Sequence, residues 1–184
     1  MKKSKRTVLK IFIASVIALA ICLALYILLN LYVFVGTVYF GPDTQEMRAR
    51  LLYHTDHQAL LDACREISRR VVIGDLRPGT YNIRVDPDPE ASSFPQVILD
   101  LAPNYVYVDE GYSGRVMLEM HGGLGHLGVQ AYPEDYKSPS YSKFGDKELI
   151  DGLWYYDDGY RKNPQWEKKT EALIQKGQAR QVQQ

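Results

Sequence analysis

The sequence predicts an α+β protein: one N-terminal transmembrane helix followed by a small antiparallel sheet packed on an amphipathic helix. Three observations carry this reading. No charged residue stands between Lys10 and Asp43, an apolar stripe at helical spacing runs from Leu60 to Val71, and beyond Gly79 the chain turns to short alternating segments punctuated by Gly, Pro and Asp.

The uncharged run comes first. Five of the first ten residues are basic (Lys2, Lys3, Lys5, Arg6, Lys10), and the apolar stretch over residues 11–40 follows directly. It exceeds the roughly 20 residues that cross a hydrocarbon core of about 30 Å. A cleaved signal peptide carries an apolar region of only about 7–15 residues, which this run far outgrows. Cys22 follows Ile21 and precedes a further apolar stretch, so it is expected to be an ordinary bilayer residue and not a lipidation site. The bias of Lys and Arg toward the cytoplasm places residues 1–10 inside and everything beyond about residue 41 outside, with residues 11–40 as a signal-anchor helix through the lipid bilayer. Tyr32, Tyr39 and Phe40 then fall toward the outer interface, where amphipathic rings sit well. Ala14, Ala18 and Cys22, and likewise Ala20 and Ala24, form rows of small residues at a spacing of four that offer a homodimer face. Asn30 either bonds across such a pair or stands alone.

A net charge of zero conceals a division. Beyond residue 41 the chain holds 17 of its 22 Lys and Arg against all 22 Asp and Glu, so the outer part is mildly acidic. A nucleic-acid partner calls for a basic face, which neither the sign nor the distribution of charge supplies. The outer segment, about 144 residues, is long enough for one modest core, assigned to residues 41–176, with 177–184 as a polar tail. Its single cysteine, Cys64, has no partner within it for a disulfide, so packing alone must hold this fold.

A helical piece over residues 44–53 is expected to carry the chain off the membrane. Thr55 and Gln58 then have the spacing of a capping box, opening a helix whose Leu60, Leu61, Cys64, Ile67 and Val71 recur at three and four while Asp62, Arg65, Glu66, Arg69 and Arg70 fall outside the stripe. Residues 81–85 alternate like a strand, and Asp86, Asp88 and Glu90 follow in a proline-broken turn. That turn lacks the glycine and late bidentate carboxylate of a helix-loop-helix calcium site, so a solvated acidic loop is expected. Residues 96–101 suit a short helix or strand. Residues 105–108 and 115–120 read as strands, and Leu127, Val129 and Ala131 continue the alternation after a Gly-Gly-Leu-Gly turn at 122–125 that suits an antiparallel hairpin. A long polar loop over 133–147 and a terminal helix from Asn163-Pro164, with Trp166 and Leu173 packing back, complete the reading.

The chemistry-bearing residues are few. His121 and His126 bracket the glycine turn and are expected to face each other across the hairpin, with Glu119 on the face of His121. Together the three form a candidate zinc site with an open position, the basis of a membrane-tethered metal-dependent hydrolase. His54 and His57 straddle the proposed helix cap and read as helix-start residues. The glycine run lacks the Lys-Ser/Thr ending of a phosphate cradle, and no serine lies in a Gly-x-Ser-x-Gly turn. Trp154, Tyr155, Tyr156 and Tyr160 give four aromatics in seven residues, a candidate recognition surface. Alternation puts Trp154 and Tyr156 on one face, expected to fill the core, and leaves Tyr155 exposed. The sequence therefore favours a non-catalytic, membrane-anchored extracytoplasmic domain that binds or scaffolds an envelope protein or glycan without a cofactor, with the zinc hydrolase as the alternative.

Overall fold

The structure, a computed structural model, describes residues 2–40, 42–110, 114–121, 126–134, 136, 146–158 and 164–182. The chain divides into two compact units, Met1–Val38 and Tyr39–Gln184.

The first unit is made of helix α1, which runs over Lys2–Phe40 and so ends two residues beyond it. Within it Phe12–Val35, 24 residues of mean hydropathy 2.9, is the one helix among the described residues long and apolar enough to cross a membrane. At 1.5 Å per residue it is about 36 Å long. Its large apolar side chains are spread all round it, with Phe12, Leu19, Tyr26 and Tyr32 all exposed. Asn30 needs no second helix: its side-chain amide donates to the Tyr26 carbonyl of its own helix at 2.8 Å.

The second unit is α+β. Helix α2 (Pro42–Ala49) passes into a π-helical turn, Arg50–His54, closed by the Thr55 hydroxyl donating to the Arg50 carbonyl at 2.8 Å. Thr55 is thus spent on the preceding turn, and the cap of α3 (His57–Val72) shifts one residue from the expected place. Asp56 accepts from the Ala59 amide at 3.0 Å, and Gln58 bonds forward to Asp62 instead of back to the cap. The stripe itself is as the spacing predicts, with Leu60, Leu61, Cys64 and Ile67 all buried. Burial pushes the Cys64 thiol up to about 12, which keeps it protonated and inert. Leu61→Ala is expected to cost about 2–5 kcal/mol, through lost transfer energy and the cavity left behind. Glu66→Ala, on the exposed side of the same helix, should stay within about 0.5 kcal/mol; urea unfolding curves compare the two.

The sheet has six antiparallel strands in the order β1 (Gly79–Asn82), β2 (Tyr105–Val108), β3 (Val116–His121), β4 (Leu127–Ala131), β6 (Leu153–Asp157) and β5 (Lys147–Ile150). β1 is shorter than the alternation suggests. Asp88 turns the chain back at Asn82, accepting the Asn82 amide at 2.6 Å, and this is where one acid of the proline-rich turn is used. Residues 96–101 resolve as helix α4 (Gln96–Leu101), ended by Ala102 in the left-handed region. One face of the sheet carries Tyr81, Val106, Leu118, Val129 and Tyr155 in register, and α3 closes the core over it.

Tyr155 is therefore the corrected residue of the aromatic run. It is fully buried, while Trp154 and Tyr156 lie half-buried on the opposite face. Alternation separates 155 from its neighbours, but the pairing of Tyr155 with Val129 decides which side meets the core.

The C-terminal stretch differs as well. Helix α5 runs over Pro164–Gln181, into the residues read as a polar tail, and Gly177 lets it approach the π-helical turn closely: a Cβ there would stand 2.0 Å from the Leu52 carbonyl oxygen. Gln178 and Gln181 donate to the Leu149 and Thr55 carbonyls and Arg180 lies over the Tyr53 ring, so the last turns are held by tertiary contacts. Leu173 packs on the core, as expected; the Trp166 side chain and residues 122–125 lie outside the described set.

His57 sits at the start of α3 with no exposure to solvent, Nε2 donating to the Leu51 carbonyl at 3.0 Å. Burial holds its pKa below the usual value, against the smaller raising effects of the Leu51 bond and Asp56. The unfolded chain takes up a proton as pH falls through about 6.5, and the folded chain resists it. The stability contribution is thus complete above pH 6.5 and shrinks as pH falls below it. His57→Gln should flatten that part of the stability profile, measured by denaturant unfolding between pH 7.5 and 5.

Candidate functional site

The second face of the sheet holds the candidate site. Two rows cross it in register: Tyr107, Met117, Gln130, Trp154 and Glu148, and beside them Tyr105, Glu119, Gly128 and Tyr156. Gly128 is the low point. Tyr156 leaves β6, crosses β4 at Gly128 and donates its hydroxyl to the Leu118 carbonyl of β3 at 3.2 Å. A Cβ on residue 128 would stand 1.9 Å from that carbonyl oxygen and 2.6 Å from the Tyr156 hydroxyl, so only glycine lets the Tyr156 side chain cross the strand here. Burial, followed by the charge of Glu119, raises the Tyr156 pKa and keeps its hydroxyl a donor.

Beside this ring opens a cleft of about 410 Å³, lined by Arg115, Met117, Glu119, His126, Gln130, Asp146, Tyr156, Asp157 and Asp158. Its polar side chains are fixed by one another. Gln130 donates to Asp146 at 2.8 Å, and Arg115 to Asp109 at 3.1 Å. Glu119, nearly buried, accepts from the Tyr107 hydroxyl at 3.3 Å and lies 3.4 Å from Nδ1 of the exposed His126. At the end of β6, Asp157 faces the core, where Arg48 of α2 grips it through Nε at 2.7 Å and Nη2 at 3.1 Å, and the Tyr155 hydroxyl adds a third bond at 2.7 Å. Burial opposes the charge on Arg48. The hydrogen bond and attraction from Asp157, with Tyr155, outweigh that effect and hold the guanidinium above its usual pKa.

Of the three residues in the zinc reading, the structure brings together two. A bulge between Glu119 and His121 shifts the register, so His121 pairs with Leu127 and not with His126. Among the described residues no group of three His, Cys, Asp or Glu side chains converges as a metal site requires. His54 stacks edge-on against Tyr53, with Nδ1 3.4 Å from Arg180, and His57 is a core residue; both lie outside the cleft. Of the aromatic set, Tyr156 floors the cleft, Trp154 stands beside Gln130, Tyr155 is behind the sheet, and Tyr160 lies outside the described residues. A second groove, about 610 Å³ at the end of α3, carries the exposed Val72 and Ile73 and one loose ion pair, Arg65 with Glu134 at 3.8 Å, but no convergent polar set.

Sequence reasoning missed Gly128, Gln130 and Arg48. Gly128 had a legible signal, since a lone glycine inside an alternating strand marks close approach of another group. Arg48 had none, because its partner is 109 residues away.

Comparison with models of protein families, with curated proteins and with solved structures finds no match to this chain.

Proposed function

We propose that this chain is a single-pass membrane protein, its basic N-terminus in the cytoplasm and its α+β domain outside, that binds an envelope partner on the open face of the sheet without catalysing a reaction. The observation that carries the binding reading is the Tyr156 side chain tethered across Gly128, bordered by half-buried aromatics and by polar side chains already locked in pairs. Recognition sites combine such rigid aromatic area with a few fixed polar groups. The orientation rests on the five basic residues before the uncharged span.

Two measurements test the two halves. A reporter active only outside the cytoplasm should work when fused after residue 184 and fail at the N-terminus; the reverse pattern refutes the orientation. A photo-crosslinking amino acid placed at Trp154 of the full-length protein in its own membrane should capture an adduct, and the same group at Glu66 on the far side of the domain should not. Equal capture, or none at Trp154, refutes the open face as the binding surface.

A further inference from the structure

We infer that the guest of the cleft beside Tyr156 is a neutral saccharide chain; this rests on the reading of the open face as the binding surface and names what that surface takes. The tethered ring is the first reason. With its hydroxyl tied to the Leu118 carbonyl across Gly128, the Tyr156 side chain is held in one place in the lining of the cleft. A fixed aromatic ring in a cleft lining suits the C–H face of a sugar ring, which is apolar although the rim of the sugar is all hydroxyls.

The polar rim is the second reason. Gln130, Arg115 and Glu119 are planar groups, each held on one edge by a protein partner, at 2.8 Å by Asp146, 3.1 Å by Asp109 and 3.3 Å by Tyr107. Side chains fixed in this way offer donors and acceptors at set positions without the ordering cost of free ones, which suits vicinal hydroxyls that both donate and accept. Nε of Arg115 is a buried donor with no protein acceptor among the described residues, a group that a bound hydroxyl would satisfy.

Charge decides between classes of guest. Glu119 is met by His126 and Tyr107, Asp157 by Arg48 and Tyr155, and Arg115 by Asp109. These three ionic groups are therefore engaged within the protein, and the further carboxylate of Asp158 in the lining disfavours a polyanion. A basic peptide would need convergent carboxylates not already committed to partners. The volume, about 410 Å³, lies within the range of small-ligand sites and takes a short saccharide segment.

The test uses full-length protein in lipid nanodiscs and a panel of neutral tetrasaccharides built on glucose, galactose, mannose or N-acetylglucosamine, with tetralysine as the charged comparison, binding being read by calorimetry. At least one saccharide should bind with little dependence on salt, and both Tyr156→Ala and Gln130→Ala should weaken it at least about tenfold, as loss of a central anchor does. Thermal melts of both variants check that the fold persists, and Gln130→Ala carries the result if Tyr156→Ala melts early. Failure of every saccharide, or binding unchanged in Gln130→Ala, overturns the inference. Salt-sensitive tetralysine binding lost in Asp158→Asn would assign the cleft to a basic peptide instead, overturning the saccharide while the crosslink at Trp154 still supports the binding face. An absent crosslink together with no probe bound overturns both.

Discussion

Arg48→Ala is expected to remove about 3–5 kcal/mol of stability, the cost of leaving a buried carboxylate without its counter-ion. Arg48 and Asp157 are both nearly inaccessible to solvent and meet through two hydrogen bonds, at 2.7 and 3.1 Å. The effect should fall far more on the single variant than on a double replacement such as Arg48→Met with Asp157→Leu, because the pair removed together leaves no stranded charge. Urea unfolding of the full-length protein in detergent reads both. A single variant within about 1 kcal/mol of the parent would mean that solvent reaches the pair and screens it. The expected result makes α2 an integral part of the domain, so the segment that follows the apolar helix is fastened to the sheet at the end of β6.

Tyr155→Ala should cost a similar amount, about 3–5 kcal/mol, since a fully buried ring is lost from the sheet's core face. Tyr155→Phe separates the two roles of the side chain. It keeps the ring and removes the hydroxyl that donates to Asp157 at 2.7 Å, for a cost of about 1.5–3 kcal/mol, the range for a bond to a charged group. Tyr156→Ala and Trp154→Ala, on the open face, should fall well below Tyr155→Ala in the same unfolding measurement. Were Tyr155→Ala the mildest of the three, the faces of β6 would be reversed from those described.

The site was legible in part. Dense aromatics at 154–156 and the Glu119 and His126 pair were visible as chemistry-bearing residues, and of these Tyr156, Glu119 and His126 line the cleft. Their arrangement was not visible. Opposition of His121 and His126 assumed a regular hairpin, and a single bulge after Glu119 turns His121 toward Leu127. The assignment of Tyr155 to solvent assumed that the larger pair of aromatics fills the core. Instead the core takes one ring, whose hydroxyl is satisfied by Asp157, and the open face takes the other two.

What the sequence by itself determined is everything that depends on near neighbours along the chain. The uncharged run needs only its own length to qualify as a membrane-crossing helix, and the stripe of Leu60, Leu61, Cys64 and Ile67 needs only a period of 3.6 to be an amphipathic helix. Alternation over 105–108, 116–120 and 127–131 likewise specifies strands with two distinct faces. Only the tertiary structure decided which strand face meets α3, where the C-terminal helix docks, which cation neutralises Asp157, and why residue 128 is glycine. Each of these is a contact between groups far apart in the chain, and local periodicity carries no information about it. The two faces of an isolated strand are equivalent until a register, a bulge or a buried charge pair makes one of them the inside.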